Sequence, residues 1–176
     1  MHDCDTNYRH CPRCGQELAA KRLKPTEPER LVCKACTHVF YLDPKVAVGT
    51  IITTKNGQII LARRAIQPGY GRWVFPGGYV DRGELVSEAA VREAREEAGV
   101  EVHLDGLINI YSYVNQTAVI IVYAATATGG ELQHDDESLE IGTFTKARIP
   151  WHELAFQSTH DALRDFYAGL VYRHCR

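Results

Sequence analysis

The pattern of apolar and polar positions changes character near Pro44. From Val46 onward, β-branched and apolar residues run as "VAVGTIITT", pause at Lys55, Asn56 and Gly57, and resume as "QIILARR". Asn-Gly between two such runs signals a tight turn, so the pattern predicts a β-hairpin. A loop rich in Gly and Pro, "QPGYGRWVFPGG", follows. Residues 85–98 are then dense in Ala and Glu and stop at Gly99, a residue suited to a left-handed cap, which predicts a helix of about 14 residues. Apolar runs at 107–114 and 118–126 predict further strands, and "GGELQHDDESLE" predicts an acidic loop. A short strand is expected near Phe144 and a final amphipathic helix over about 159–172. The expected class is α+β, its sheet interrupted along the chain only by the central helix. Residues 1–44 read as a small separate module and 45–176 as the main domain; no repeat or low-complexity tract is visible.

Composition narrows the function classes. A chain of 176 residues suits one ordinary domain with a small appendage. Its formal charge of -2 gives no broad basic field, so duplex nucleic acid is not an expected partner. The apolar run "AVIIVYAA" is far shorter than a bilayer span, and "MHDCDTNYRH" has no apolar signal core, so no membrane association and a cytoplasmic location are expected. Cys11, Cys14, Cys33 and Cys36 form C-x2-C-x18-C-x2-C, which lets two turns present four thiolates to one structural Zn²⁺. His10 and His38 stand close by in sequence and are read as bystanders, Cys4 and Cys175 as simple thiols. The segment between the pairs, "KRLKPTEPER", has only a modest basic excess and few aromatics for base stacking.

The stretch 78–100, "GYVDRGELVSEAAVREAREEAGV", carries the densest chemistry. On a helix, Glu93, Glu96 and Glu97 fall at i, i+3 and i+4, so their carboxylates share one face and repel one another. A solvated charged face is the ordinary use of such a cluster. Beside a Gly-Gly turn at Gly77 and Gly78, where a backbone carbonyl can approach unhindered, it also supplies the oxygen ligands that Mg²⁺ or Mn²⁺ requires.

These residues resemble the Nudix box, G-x5-E-x7-R-E-U-x-E-E-x-G-U with U aliphatic, at Gly78, Glu84, Arg92, Glu93, Ala94, Glu96, Glu97, Gly99 and Val100; Ala94 is small where a bulkier aliphatic is usual. The resemblance implies the Nudix fold, a mixed β-sheet sandwiched between helices, and hydrolysis of a nucleoside diphosphate linked to another moiety. By the same resemblance, Glu93, Glu96 and Glu97 hold divalent metal, the Gly78 carbonyl adds a ligand, and Arg92 and Glu84 orient the others. The cysteine module ahead of "YLDPKVAVGTI" is similar to the zinc ribbon of the NADH pyrophosphatase group. The Ser-Gln-Pro-Trp-Pro-Phe-Pro type motif of the NADH-specific members is absent, since no proline lies between Pro76 and Pro150. "IPWHELAF" looks like a segment of relatives that hydrolyse FAD or ADP-ribose.

Further candidates lie outside the box. Glu137, Glu140 and Phe144 resemble an E-x-x-E-x-x-x-F segment, which makes Glu137 a candidate to orient the attacking water, whereas Asp135 and Asp136 are expected to be neutral to substitution. Arg63 and Arg64 end a strand and are candidate phosphate contacts; alternation allows at most one to serve. Trp73 and Phe75 flank the glycine loop as candidates to stack a base, although core packing is the commoner use of such residues. The function these features favour is metal-dependent hydrolysis of ADP-ribose or FAD with release of AMP. An ADP-ribose-sensing regulator, an NAD(H) pyrophosphatase and an RNA cap-removing hydrolase are the alternatives. A small nucleotide is the expected partner, and a homodimer is left open.

Overall fold

The computed structural model describes residues 8–172, so Cys4 and Cys175 lie outside the described residues. Between Asp43 and Pro44 the chain divides into two compact units.

The first unit is a three-stranded antiparallel sheet, β1 (Leu18–Lys21), β2 (Arg30–Cys33) and β3 (Val39–Phe40), in that order. Among its described residues only Cys11, Leu31 and Cys33 are buried, which is too little apolar surface to hold so short a segment together. Two equivalent turns take over that task. After Cys14 the chain reverses through Gly15 at φ 74°, and after Cys36 through Thr37 at φ 57°. In each turn a backbone N–H points at the first cysteine: Arg13 N–H donates to Cys11 Sγ and Cys36 N–H to Cys33 Sγ, both at 3.4 Å. The Cys36 N–H, aided by that of Ala35, draws the Cys33 thiol down to about 6. All four sulfurs lie within 4.8 Å of one another, with Cys14 to Cys33 at 3.5 Å and Cys11 to Cys36 at 3.8 Å. Zn–S bonds of about 2.3 Å in a tetrahedron separate sulfurs by about 3.8 Å, so the four sulfurs fit one such ion. His10 and His38 are not members of the group.

The second unit holds a six-stranded mixed sheet with a helix on each face. β4 (Lys45–Thr53) is central and pairs in parallel with β8 (Ala118–Gly130), from Lys45↔Ala118 to Thr53↔Thr126. β8 pairs antiparallel with β7 (Val100–Tyr111), and β5 (Ile59–Arg64) pairs antiparallel with β6 (Trp73–Val74) and β9 (Ser138–Phe144). Side chains alternate across the sheet. Ile52, Ile60 and Ala125 meet Ala94 and Ala98 of α1 (Val86–Ala98), while Ile51, Leu61, Val122 and Ala124 share a cluster with Ala162 and Leu163 of α2 (Gln157–Tyr167). The buried face of α1 is nearly all alanine, Ala89, Ala90, Ala94 and Ala98, so the helix lies close on the sheet. Small Ala94 is fully buried there, and its size suits that close approach. Gly99 ends α1 at φ 70°, its N–H returning to the Arg95 carbonyl.

The predicted hairpin is present only at its tip. Thr53 pairs with Ile59 around the Asn56–Gly57 turn, and then the strands part. The loop that follows β6 runs between them: β6 pairs with β5, and Pro76 to Val80 then bonds to β4 through Thr50 N–H to Pro76 O, Val48 N–H to Gly78 O and Val80 N–H to Val46 O. Phe75 is wedged at the fork, its ring against the bare Cα of Gly49, where any Cβ would collide with the ring. The final helix also ends earlier than the pattern suggests, at Tyr167, because Gly169 at φ 80° turns the chain so that Tyr172 can bridge to Leu107 of β7.

Because the first unit has so little core, metal and fold are expected to be lost together. Elemental analysis of purified protein should give one Zn²⁺ per chain, and Cys33→Ser should remove it along with most amide-exchange protection in β1 and β2. Metal-free protein with full protection in those strands would contradict this.

Candidate active site

The fork in the sheet and α1 together build a cavity of about 700 Å³. Gly77, Gly78 and Tyr79 border it from the loop, Glu93, Glu96 and Glu97 from α1, and Asp135 and Glu137 from the segment before β9. Arg64 from the end of β5 and Phe156, Gln157 and Ser158 from the start of α2 also line it. Neither glycine of the loop tolerates a side chain, for different reasons. A Cβ at Gly77 would strike the Val48 carbonyl, and one at Gly78 would lie 2.5 Å from the Glu93 carboxylate.

Arg92 organises the carboxylates, and all five of its N–H donors are engaged. Nε and Nη2 grip Glu84 at 2.8 and 3.0 Å in a bidentate pair, and Nη1 reaches Glu93 at 2.8 Å and Glu96 at 2.9 Å. The remaining Nη2 donor takes the Tyr79 carbonyl at 3.2 Å, tying the glycine loop to the helix. Glu84 also accepts the Asp81 N–H at 3.0 Å, and these bonds, Arg92 first, hold its carboxyl below the usual range.

Glu97 stands apart from that clamp. Its Oε2 accepts the Gly77 N–H at 2.7 Å. Burial pushes its carboxyl up to about 7 against that hydrogen bond, and the charges of Glu93, Asp135 and Glu137 push the same way. Glu93, only 9% exposed, is also raised by burial despite its ion pair with Arg92. Two carboxylates driven toward their neutral forms, with further acids facing them across a cavity, have the donor chemistry of a divalent-cation site. The Gly78 carbonyl accepts from Val48 N–H at 2.8 Å and keeps its second lone pair.

The structure sorts the other sequence candidates. Arg64 borders the cavity, its Nε donating to the Pro68 carbonyl at 2.8 Å and its guanidinium 5.1 Å above the Phe156 ring; among the described residues its Nη groups make no hydrogen bond. Arg63 does not border the cavity. As alternation requires, it points elsewhere, pairing with Glu140 at 3.0 Å and the Gly71 carbonyl at 2.8 Å. Trp73 is core, edge-on to Phe144 at 4.9 Å, and is no part of the cavity lining because the sheet pairing of β6 turns the indole inward. Phe75 contributes to the wall but is 5% exposed, with its ring committed to Gly49. Glu137 borders the cavity, whereas Asp136 and Glu140 do not.

Asp135 was expected to be neutral to substitution, and its place at the cavity was not foreseen. It faces the cavity, and its Oδ1 accepts the Glu137 N–H at 3.0 Å, setting the direction of that residue. Tyr79 was missed as well. It is 56% exposed at the cavity edge with the Lys45 ammonium 4.8 Å from its ring centroid, and only the unspecified spacing between Gly78 and Glu84 contains it in sequence.

Comparison with known proteins agrees with this geometry. The model of the NUDIX domain matches residues 43–170, and that of the zinc-ribbon Nudix N-terminal module matches residues 9–42. An ADP-ribose pyrophosphatase of Methanocaldococcus jannaschii is 38% identical over 121 residues, covering 66% of this chain and 70% of that protein. A NAD-capped RNA hydrolase NudC of Stutzerimonas stutzeri is 27% identical over 77% of this chain, which spans only 47% of the length of that relative. Among solved structures, a NUDIX hydrolase from Nitrosomonas europaea superposes with a TM-score of 0.86 at 30% identity, covering 95% of this chain and 97% of that one. No helix among the described residues is long and apolar enough to cross a membrane. The Arg92-clamped glutamates, the glycine loop bonded along β4 and the cysteine module in front of them thus mark a chain that belongs to the Nudix hydrolase family.

Proposed function

We propose that this Nudix pyrophosphohydrolase acts on ADP-ribose or FAD, cleaving the pyrophosphate bond and releasing AMP. The observation that carries the reading is the convergence of Glu93, Glu96, Glu97 and Glu137 on one cavity that also presents the unspent donors of Arg64. The similarity to an archaeal ADP-ribose pyrophosphatase supports the substrate class, and the missing proline-rich motif speaks against NADH as the preferred substrate. A reducing, cytoplasmic setting suits a module built on four free thiols.

In this reading Glu93, Glu96 and Glu97, with the Gly78 carbonyl, hold Mg²⁺ or Mn²⁺. Bound there, the cation supplies charge neutralisation for the pyrophosphate oxygens and acidifies water. Arg64 offers both Nη groups to a phosphate oxygen, the planar arrangement in which a guanidinium binds best. Glu137, its backbone fixed by Asp135, accepts the proton of the attacking water. The water oxygen bonds to one phosphorus as the bridging oxygen departs with the other phosphate. Arg92 and Glu84 touch no substrate and keep the acidic cluster in place.

A panel of ADP-ribose, FAD, NADH, NAD⁺ and diadenosine polyphosphates with Mg²⁺ or Mn²⁺, read by AMP release, tests the assignment. ADP-ribose or FAD should show the highest kcat/KM, and preference for NADH would overturn it.

Substitutions separate the carboxylates. Glu137→Gln should lower kcat and kcat/KM together by about 100-fold or more, with KM nearly unchanged. Asp135→Asn should give a smaller loss of the same kind and Asp136→Asn none. Equal small effects at all three positions would remove Glu137 from the mechanism.

The half-buried carboxyl of Glu97 also sets a pH dependence. Its folded value, about 7, is above the ordinary 4.5, so the fold favours the protonated form. Stability from that preference is complete below about 4.5 and is lost as pH rises through about 7. Without added divalent cation, Glu97→Gln should therefore gain thermal stability relative to wild type between pH 5 and 8, and saturating Mg²⁺ should cancel the gain. A difference in Tm that does not vary with pH would contradict the burial argument.

A further inference from the structure

The cavity has three aromatic neighbours, Phe75, Tyr79 and Phe156, and their surroundings differ in a way that assigns the heterocyclic part of the substrate. The Phe75 ring is spent on Gly49 and only 5% exposed. Phe156 is half-buried, with the Arg64 guanidinium 5.1 Å over its face. Tyr79 alone of the three is largely exposed, at 56%, with the Lys45 ammonium over one face of its ring at 4.8 Å.

We propose that Tyr79 is the platform on which the planar base of the nucleotide stacks, using the face that Lys45 leaves free. The position of the residue is fixed by backbone bonds rather than by its own side chain. Ala47 bridges to Tyr79, the neighbouring Val80 N–H is bonded to Val46 at 3.0 Å, and the Tyr79 carbonyl is held by Arg92. The ring is thereby attached to the same short segment as Gly77 and Gly78, so a base stacked on it sits at a set reach from the carboxylates that surround the pyrophosphate. Small residues beside it, Ala47 and Ala118, leave room for a flat heterocycle. Gln116 borders the same end, and among the described residues its side-chain amide makes no hydrogen bond, leaving a donor and an acceptor for a base edge. The Lys45 cation polarises the ring and restrains it, which lowers the entropy cost of stacking.

This inference rests on the proposed nucleotide substrate, and its test separates the two. Binding of AMP and of ribose 5-phosphate, which has the same phosphate and sugar without a base, is measured by calorimetry with the full chain, its Tyr79→Ala variant and its Tyr79→Phe variant. Wild type should bind AMP more tightly than ribose 5-phosphate. Tyr79→Ala should weaken AMP by roughly 5- to 100-fold, the range for loss of an aromatic stack, while leaving ribose 5-phosphate unchanged, and Tyr79→Phe should bind as wild type. Unchanged AMP affinity in Tyr79→Ala, equal loss for both ligands, or no preference for AMP in wild type would each overturn the stacking role. If Tyr79-dependent AMP binding is found but no dinucleotide in the panel is hydrolysed, the proposed reaction fails and the base platform stands.

Discussion

The site depends on one guanidinium. Arg92 is placed so that every N–H it owns meets an oxygen, and four of the five bonds go to three carboxylates that would otherwise repel one another. The fifth goes to the Tyr79 carbonyl, which makes the same side chain responsible for the distance between helix and glycine loop. Glu84 fastens the other end of this loop by accepting both Arg92 and the Asp81 N–H. Lysine could not replace arginine here, because a point charge with three donors cannot hold a bidentate carboxylate and three further oxygens at once. Glu97 is left outside the clamp, half-buried, and raised toward its neutral form, so it is the member of the cluster whose charge is least compensated by the protein itself.

The rest of the fold serves to bring that helix and that loop together. A buried face of four alanines beside Glu93 lets α1 lie close on the sheet, and the bare Cα atoms of Gly49, Gly77 and Gly78 let the loop thread between parted strands and run against Glu93. A side chain would meet the Phe75 ring at Gly49, the β4 backbone at Gly77 and the Glu93 carboxylate at Gly78, so each would shift the loop from its place. The helix α2 is tied to β7 and the residues just after it by side chains rather than by close packing alone: Asp165 accepts from Tyr111 and Asn109 at 2.8 and 3.0 Å, and Asp161 from Tyr113 at 2.9 Å. Those bonds hold the middle and last turn of α2, whose first residues, with Phe156 ahead of them, line the cavity.

Local signals were legible in the sequence and long-range ones were not. Gly99 as a helix stop, the i, i+3, i+4 glutamates and the two cysteine turns are each specified within a few residues, and the structure has α1 ending at that glycine and all four cysteine sulfurs gathered. The Asn56–Gly57 turn was equally readable, yet it predicts a paired hairpin that exists for a single residue pair, because the loop after β6 takes the edge of β4 that β5 would have used, while the other edge holds the parallel partner β8. Alternation separated Arg63 from Arg64 without saying which one faces the cavity; pairing with β9 decides it by giving Arg63 to Glu140. Burial of the Trp73 indole and the facing of Asp135 toward Glu97 are consequences of strands that meet only in the folded chain, so the local sequence does not specify either.

The proposed chemistry turns on whether Glu93 and Glu97 bind a divalent cation in exchange for protons. Titration of Mn²⁺ into the protein near pH 7, with free Mn²⁺ followed by electron paramagnetic resonance and proton release followed in weakly buffered solution, tests it without relying on any substrate. Saturable Mn²⁺ binding with release of protons is expected, with loss of both in a Glu93→Gln, Glu97→Gln double variant. Mn²⁺ binding of unchanged affinity and proton release in that variant would contradict it.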